Sequence, residues 1–304
     1  MVGKNIQEHP LASRFDIAAP SSKDLDLTDA VATRCFIKDF KPDFVIHAAG
    51  LVGGIQANIS NPVDFFVTNV DLGRNVIIAS YMAGVPKLLN LASSCIYPRH
   101  ASNPLSESQI LKGELEPTNE GYALAKIYAI RLCEYINREC DAKGNPGIRY
   151  KTLIPCNLYG LHDKYSQKHS HLIPAIIHKI HQAKTAGLRE VVIWGDGNVR
   201  REFMYAGDLA DGALKYLQDF EQLPDLMNIG LGFDYSINEY YAAVASVIGW
   251  EGHFIHDLSK PVGMKQKLVD ITRQSSWGWA SVTPLLEGID KVYQSYLLGE
   301  YHEL

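Results

Sequence analysis

Tyr122 and Lys126 lie four residues apart in NEGYALAK, a helix-forming stretch, so both side chains fall on one helix face, one turn apart. A phenol with an ordinary pKa of about 10 is a poor acid-base group at neutral pH, and a neighbouring ammonium favours the phenolate and lowers that value. The spacing therefore points to proton transfer. Alone, a YxxxK pair is an ordinary feature of a helix surface. Here it follows LNLASSCIYP, an apolar run that reads as a buried parallel strand opening into Ser93, Ser94 and Cys95. Open α/β sheets bind ligands at the carboxyl ends of their strands, so the serines supply a second hydroxyl for a substrate oxygen.

Positioning these groups requires a doubly wound sheet, and the chain alternates accordingly. Phe15 to Ala19 reads as a strand, followed by a helix from about Asp29 to Phe40. Pro42-Asp43 leads into FVIHAA, a further strand, where Ala48, Ala49 and Gly50 are small enough for a dinucleotide to lie against the main chain. A helix from about Pro62 to Ala83 precedes the serine strand, and Tyr150 to Pro155 forms the strand after the Tyr122 helix. Beyond CNLYG the alternation loosens into a polar loop, HDKYSQKHSH, and a helix from about Ile173 to Ala186. The segment EVVIWGDGNVRREF, a strand near Met227 to Ile229, a helix from Ile237 to Ile248 and the basic GMKQKLVDITR follow. The expected fold is α/β: a Rossmann-type parallel sheet with helices on both faces over 1–160, and a smaller substrate lobe over 161–304 with some segments returning to the main sheet.

The opening departs from this pattern. Met1-Val2-Gly3 runs straight into a helix-like segment, where a Rossmann domain starts with an apolar strand and a glycine-rich turn. It reads as an incomplete start lacking the first strand and first two glycines, with Gly3 as the third glycine, which permits close helix-strand packing. Such a chain is expected to bind a dinucleotide poorly.

Of the 304 residues, 46% are hydrophobic and 21% charged, enough for a full core, and the net charge of −5 offers no general attraction for nucleic acid or an anionic membrane. A phosphate-bearing ligand must then meet a local cluster of cations. Cys35, Cys95, Cys133, Cys140 and Cys156 form an odd set without CxxC or Cys-His metal spacing, and no apolar run has membrane-spanning length. A reduced, cytoplasmic chain is the expectation.

SSCIYP, EPTNEGYALAK, NLYG, HSHLIPA and WGDGNVRREF together resemble the extended short-chain dehydrogenase/reductase family, and within it the epimerase/reductases of GDP-4-keto-6-deoxy sugars, over nearly the whole chain. Cys95 directly after the serine pair, combined with His171 before Ile173-Pro174-Ala175, narrows the match. The resemblance implies that Ser93, Tyr122 and Lys126 act at the C4 ketone with NADPH (NADP) as cofactor, while Cys95 and His171 exchange protons at the flanking carbons. Inverting a carbon beside a ketone needs a base and an acid on opposite faces of the ring, roles a thiol and an imidazole suit. Lys126 or the positive nicotinamide would lower the pKa of Cys95. By the same resemblance Gly3, Ala48, Ala49, Gly50, Asn69, Tyr122, Lys126 and His171 hold the cofactor. Asn157, Lys179, Trp194, Arg201 and Lys267 hold the nucleotide sugar, the cations meeting its diphosphate. Lys179 stands where the family usually has arginine and lacks the bidentate fork. The family's 2′-phosphate arginine aligns with Pro20, leaving Ser21, Ser22 and Lys23 nearby, so NADP preference follows from the family alone.

Three other readings stay open: a 3-deoxy substrate inverted only at C5, a UDP-sugar 4-epimerase or 4,6-dehydratase, and a non-catalytic dimerising or binding homologue. The family pairs as homodimers through the Tyr122 helix and the helix before it. Val67, Val70, Val76, Ile77, Ile127 and Ile130 offer apolar side chains for such an interface or equally for the core. No nucleic acid or membrane partner is expected.

Overall fold

A computed structural model describes residues 1–165, 170–260 and 263–299; Ser166 to His169 of the polar loop lie outside them. The first half runs α1 (Val2–Glu8), α2 (Ala30–Phe40), β1 (Phe44–His47), α3 (Ile55–Ser60), α4 (Pro62–Met82), β2 (Lys87–Leu91), α5 (Glu120–Ala142) and β3 (Arg149–Pro155). The second half runs β4 (Asn157–Tyr159), α6 (Leu172–Thr185), β5 (Glu190–Trp194), β6 (Arg200–Arg201), β7 (Phe203–Tyr205), α7 (Ala206–Gln218), β8 (Leu226–Ile229) and β9 (Tyr235–Ser236). It continues with α8 (Ile237–Ile248), β10 (His253–Asp257), β11 (Gln266–Lys267), α9 (Thr272–Trp277) and α10 (Leu285–Leu297).

Local chemistry sets these boundaries. Asp29 caps α2 by accepting from the N–H groups of Val31 and Ala32, and Ser236 and Glu239 form a reciprocal capping box on α8, which stops at the left-handed Gly249. The main sheet has the order β1-β2-β3-β8, all parallel. Successive side chains of a strand point to opposite faces. Leu88 and Tyr150 accordingly join an apolar layer with Val76, Ile77, Ala129 and Cys133 of α4 and α5. Leu89, Leu91 and Leu153 join a larger one with Leu209, Ala213 and Leu214 of α7. Each fully buried leucine contributes roughly 2 kcal/mol. A third layer in the second half gathers Ile173, Ile177 and Ile180 of α6 with Tyr240 and Val244 of α8 and Ile289 and Val292 of α10. Strand β8 returns from the second half to pair with β3, so the two halves share the main sheet.

The structure corrects the sequence reading in three places. Phe15 to Ala19 is not a strand: no described strand runs beside it, and a strand exists only through ladder bonds with a neighbour. Gly3 lies within α1, where an added Cβ would meet nothing within 4 Å, so it supports no close packing. Helix α3 occupies a stretch that the pattern leaves unassigned. Of the apolar residues offered for an interface, Val76, Ile77, Ile127 and Ile130 are core, while Val67 is exposed. All five cysteines are free, with Cys133 and Cys140 buried on α5.

His47, the last residue of β1, is buried, and that burial, reinforced by the Lys126 charge, pushes its pKa down to about 3. The unfolded chain would bind a proton there near pH 6.5, so the native state loses stability as pH falls from about 6.5 towards 3. His47→Asn removes this dependence. Between pH 7 and pH 4 the wild type is expected to lose about 3 kcal/mol more than the variant in urea unfolding; equal losses would place a protonated His47 in the fold.

Candidate active site

Strand β2 delivers its backbone to the carboxyl edge of the sheet, where the Ala92 N–H still bonds to the Leu153 carbonyl at 2.9 Å. The chain then turns through a single 3-10 turn, Ser94–Ile96, capped by Ser93, whose hydroxyl accepts from the Cys95 N–H at 3.4 Å. Helix α5 packs on this turn and brings Tyr122 and Lys126 down onto it. The Lys126 ammonium donates to the Leu91 carbonyl at 3.1 Å and lies 5.7 Å from the centre of the Tyr122 ring. Ser93 lies close enough to both the Tyr122 phenol and the Cys95 thiol to lower the pKa of each. Ser93, Cys95, Tyr122 and Lys126 are thus brought together by two elements separated widely in the sequence.

Electrostatics here differ from the expectation drawn from spacing. Burial raises the pKa of Tyr122 well above its ordinary value, with Cys95 adding to the rise and Ser93 opposing it. Burial also lowers Lys126 to about 8, against the pull of Cys95. The loss of solvation outweighs the attraction that the helix spacing suggested, so the site holds a protonated phenol. Cys95 is likewise raised by burial, and the largest charge opposing that rise is Lys267, ahead of Lys126.

A glycine-rich loop closes one side. Gly50 follows β1, and a Cβ there would come within 3.2 Å of Asn69 Oδ1 and 3.6 Å of Lys126 Nζ. Asn69, inside α4, accepts from the Leu51 N–H at 2.9 Å and donates to the Leu51 carbonyl at 3.0 Å and the Phe65 carbonyl at 2.7 Å, which fixes the loop after Ala48 and Ala49. Farther along, a Cβ on Gly54 would lie 3.2 Å from the Ser170 carbonyl, so the start of α6 sits against the same loop. His171 is the residue before α6, with Nδ1 3.5 Å from Oδ1 of the buried Asp163.

The second half supplies the cations. Strands β6 and β11 pair with Arg201 opposite Lys267. Burial lowers the pKa of both, and Glu116 lies near enough to act on each. Asn157 donates to the Glu202 carbonyl at 2.9 Å, beside Arg201. Trp194 is half exposed beneath the Lys260 ammonium, 5.7 Å from its ring centre. Lys179 is turned elsewhere: its ammonium donates to the Val192 carbonyl between α6 and β5, and burial alone lowers its pKa. Anchoring the α6–β5 packing accounts for a lysine at this position.

The model of the NAD dependent epimerase/dehydratase family matches residues 1–230. The chain belongs to that family. Among its curated relatives, GDP-L-colitose synthase of Yersinia pseudotuberculosis is 51% identical over 98% of this chain and 95% of that protein. GDP-L-fucose synthase of Azorhizobium caulinodans is 48% identical over 98% and 94%. Among solved structures, GDP-mannoheptose C4 reductase from Campylobacter jejuni, with NADP bound, superimposes with a TM-score of 0.85 at 32% identity, covering 97% of this chain and 95% of that one.

Within this epimerase/dehydratase fold, Asp163 beside His171 and Glu202 next to Arg201 are residues the sequence pattern did not single out. Glu202 has no exposed surface. The available signal was an acidic residue inside the otherwise apolar EFMY run, since a carboxylate is almost never fully buried without dedicated partners.

Lys126 is the costly member of the cluster. Holding it charged at pH 7 against a folded pKa of about 8 costs about 3 kcal/mol relative to the unfolded chain, more than the single bond to Leu91 returns. Lys126→Met is therefore expected to raise the melting temperature at pH 7, without added nucleotide, by a few degrees. A lower melting temperature would show the lysine to be retained for packing.

Proposed function

We propose that this enzyme is an NADP-dependent epimerase/reductase that converts GDP-4-keto-6-deoxy-D-mannose to GDP-L-fucose. The observation that carries the reading is the meeting of a protonated phenol and a thiol, Tyr122 and Cys95, with the buried ammonium of Lys126 beside them and that of Lys267 near enough to act on the thiol. Residues 1–160 serve the cofactor in this reading and 161–304 mainly the sugar nucleotide.

The residues around Gly50 fit the nicotinamide end of a dinucleotide. The loop carries no side chain there, and Lys126 uses one of its three donors on Leu91, leaving two for the hydroxyls of a ribose. Bound NADPH supplies the hydride for C4. Tyr122, kept neutral by burial, stands ready to give its proton to the C4 oxygen, which is the state a reduction requires. Ser93, beside both Tyr122 and Cys95, orients that oxygen through its hydroxyl.

Before reduction, Cys95 and His171 exchange protons at the carbons flanking the ketone. Lys267 and Lys126 oppose the effect of burial on the thiol and so lessen the cost of its deprotonated form, while burial keeps the resting thiol protonated. Asp163 holds Nδ1 of His171, leaving the other ring nitrogen for the sugar. Arg201 and Lys267 meet the diphosphate, with Asn157 and Trp194 beside them. Lys179 acts at most through the position of α6 and β5.

The 51% identity to a GDP-L-colitose synthase supports a second reading, in which the substrate lacks the 3-hydroxyl and only C5 is inverted. The enzyme also works as a homodimer in this proposal. Val63, Phe66 and Val67 of α4 and Leu124, Tyr128 and Tyr135 of α5 are exposed apolar side chains on two helices packed against each other, a surface a second copy would cover.

With GDP-4-keto-6-deoxymannose and NADPH, Cys95→Ser is expected to slow proton exchange at the sugar by at least about a hundredfold. Tyr122→Phe is expected to leave that exchange within a few-fold of wild type while lowering NADPH oxidation by about a thousandfold. Normal exchange by the Cys95 variant would remove the thiol from the mechanism. Absence of NADPH oxidation by the wild type with this substrate would overturn the proposal.

A further inference from the structure

Glu202 stands between Arg201 of β6 and Phe203 of β7 and has no exposed surface. Its carboxylate reaches three backbone donors on two other segments. Oε1 accepts from Leu231 at 2.5 Å and from Gly232 at 3.0 Å, just past β8, and Oε2 accepts from Val269 at 2.9 Å, two residues past Lys267. The packing is close enough to need a glycine opposite: a Cβ on Gly230 would come within 2.4 Å of Glu202 Oε1 and 2.8 Å of Val269 Cγ2.

The position of this clamp matters because the ladder it supports is short. β6 and β11 share only two paired positions, Arg200 with Gln266 and Arg201 with Lys267. So short a ladder specifies its register weakly, and a slip of one residue would turn Lys267 to the opposite face from Arg201. Beyond it, β11 is fastened to the loop that follows Cys95, through Leu105 to Leu268 and Asn103 to Leu268, but those bonds do not relate it to β6. The bond from Val269 to Glu202 does, at the carboxyl end of the ladder; at the other end the Arg200 N–H bonds to the Lys265 carbonyl, and Asp234 accepts from the side chains of both Arg200 and Gln266. Side chains alternate along an extended strand, so Glu202 points away from the face that Arg201 shares with Lys267 and clamps the two strands from behind.

We infer that Glu202 is a positioning residue for the sugar nucleotide: its carboxylate locks β11 against β6 in the register that sets Arg201 and Lys267 side by side for a diphosphate. The inference rests on the nucleotide-sugar reading above. It assigns Glu202 no contact with substrate, and it requires both oxygens, because one faces the β8 exit and the other the β11 exit. An amide in its place retains the shape but presents an N–H₂ to a backbone N–H on one side.

Titration calorimetry of this chain with GDP and, separately, with NADPH tests this. Glu202→Gln is expected to weaken GDP binding by about tenfold or more while NADPH affinity stays within about twofold, and in turnover to raise KM for the sugar nucleotide more than it lowers kcat. Gly230→Ala retains the carboxylate but displaces it, and is expected to show the same selective loss, which gives a second reading if Glu202→Gln folds poorly. Unchanged GDP affinity in the variants, or equal losses for GDP and NADPH, would reduce Glu202 to a general structural part. A wild type that binds no GDP would overturn the nucleotide-sugar reading and this inference with it.

Discussion

An ammonium held inside a protein is costly unless the surroundings are built for it, and much of this site follows from burying Lys126. One of its donors meets the Leu91 carbonyl at the end of β2. Its other side faces Gly50, where any side chain would approach both the lysine and Asn69. Asn69 is in turn occupied with holding the main chain at Leu51. A helix, a strand end and a bare loop are therefore fixed around a single charge, with Tyr122 one turn away. The arrangement lowers the stability of the isolated chain and gains a preorganised donor at the place where a ribose and a substrate oxygen would meet.

Burial sets the protonation states of the other members. It keeps the Tyr122 phenol and the Cys95 thiol protonated, and the cations temper this unequally: Lys267 acts on Cys95 more strongly than Lys126 does. One consequence is that in the proposed reaction Lys267 would serve two ends, meeting a diphosphate together with Arg201 while acting on the thiol of the first half. On that proposal, the cross-strand placement of Lys267 opposite Arg201 bears on chemistry as well as binding. The loop after Cys95 completes the connection, since Leu105 pairs with Val269 just beyond Lys267.

Much of this was legible in the sequence because it follows from short-range pattern. The one-turn spacing of Tyr122 and Lys126, the serine-ended strand and the loop at Ala48 to Gly50 are all local, and the helices from Ala30, Pro62 and Ile237 begin at capping or proline signals. What spacing could not convey was solvation. A neighbouring ammonium suggested a lowered phenol pKa, and the depth of burial reversed the sign. Nor could pattern convey partners distant along the chain. Phe15 to Ala19 has strand-like composition but no described neighbour to pair with, Lys179 is claimed by the Val192 carbonyl, and Glu202 owes its role to three backbone donors from residues 231, 232 and 269.

The central claim is that Cys95 and His171 invert two carbons before Tyr122 completes a reduction, and the hydrogen atoms of the product record it directly. The purified enzyme would be run in deuterium oxide with GDP-4-keto-6-deoxy-D-mannose and NADPH, and the deoxyhexose product examined by proton NMR. The account predicts solvent deuterium at both C3 and C5 of GDP-L-fucose, with none at C4. Deuterium at C5 alone would point to the colitose-type reaction, and a reduced product without solvent deuterium at either carbon would contradict the account.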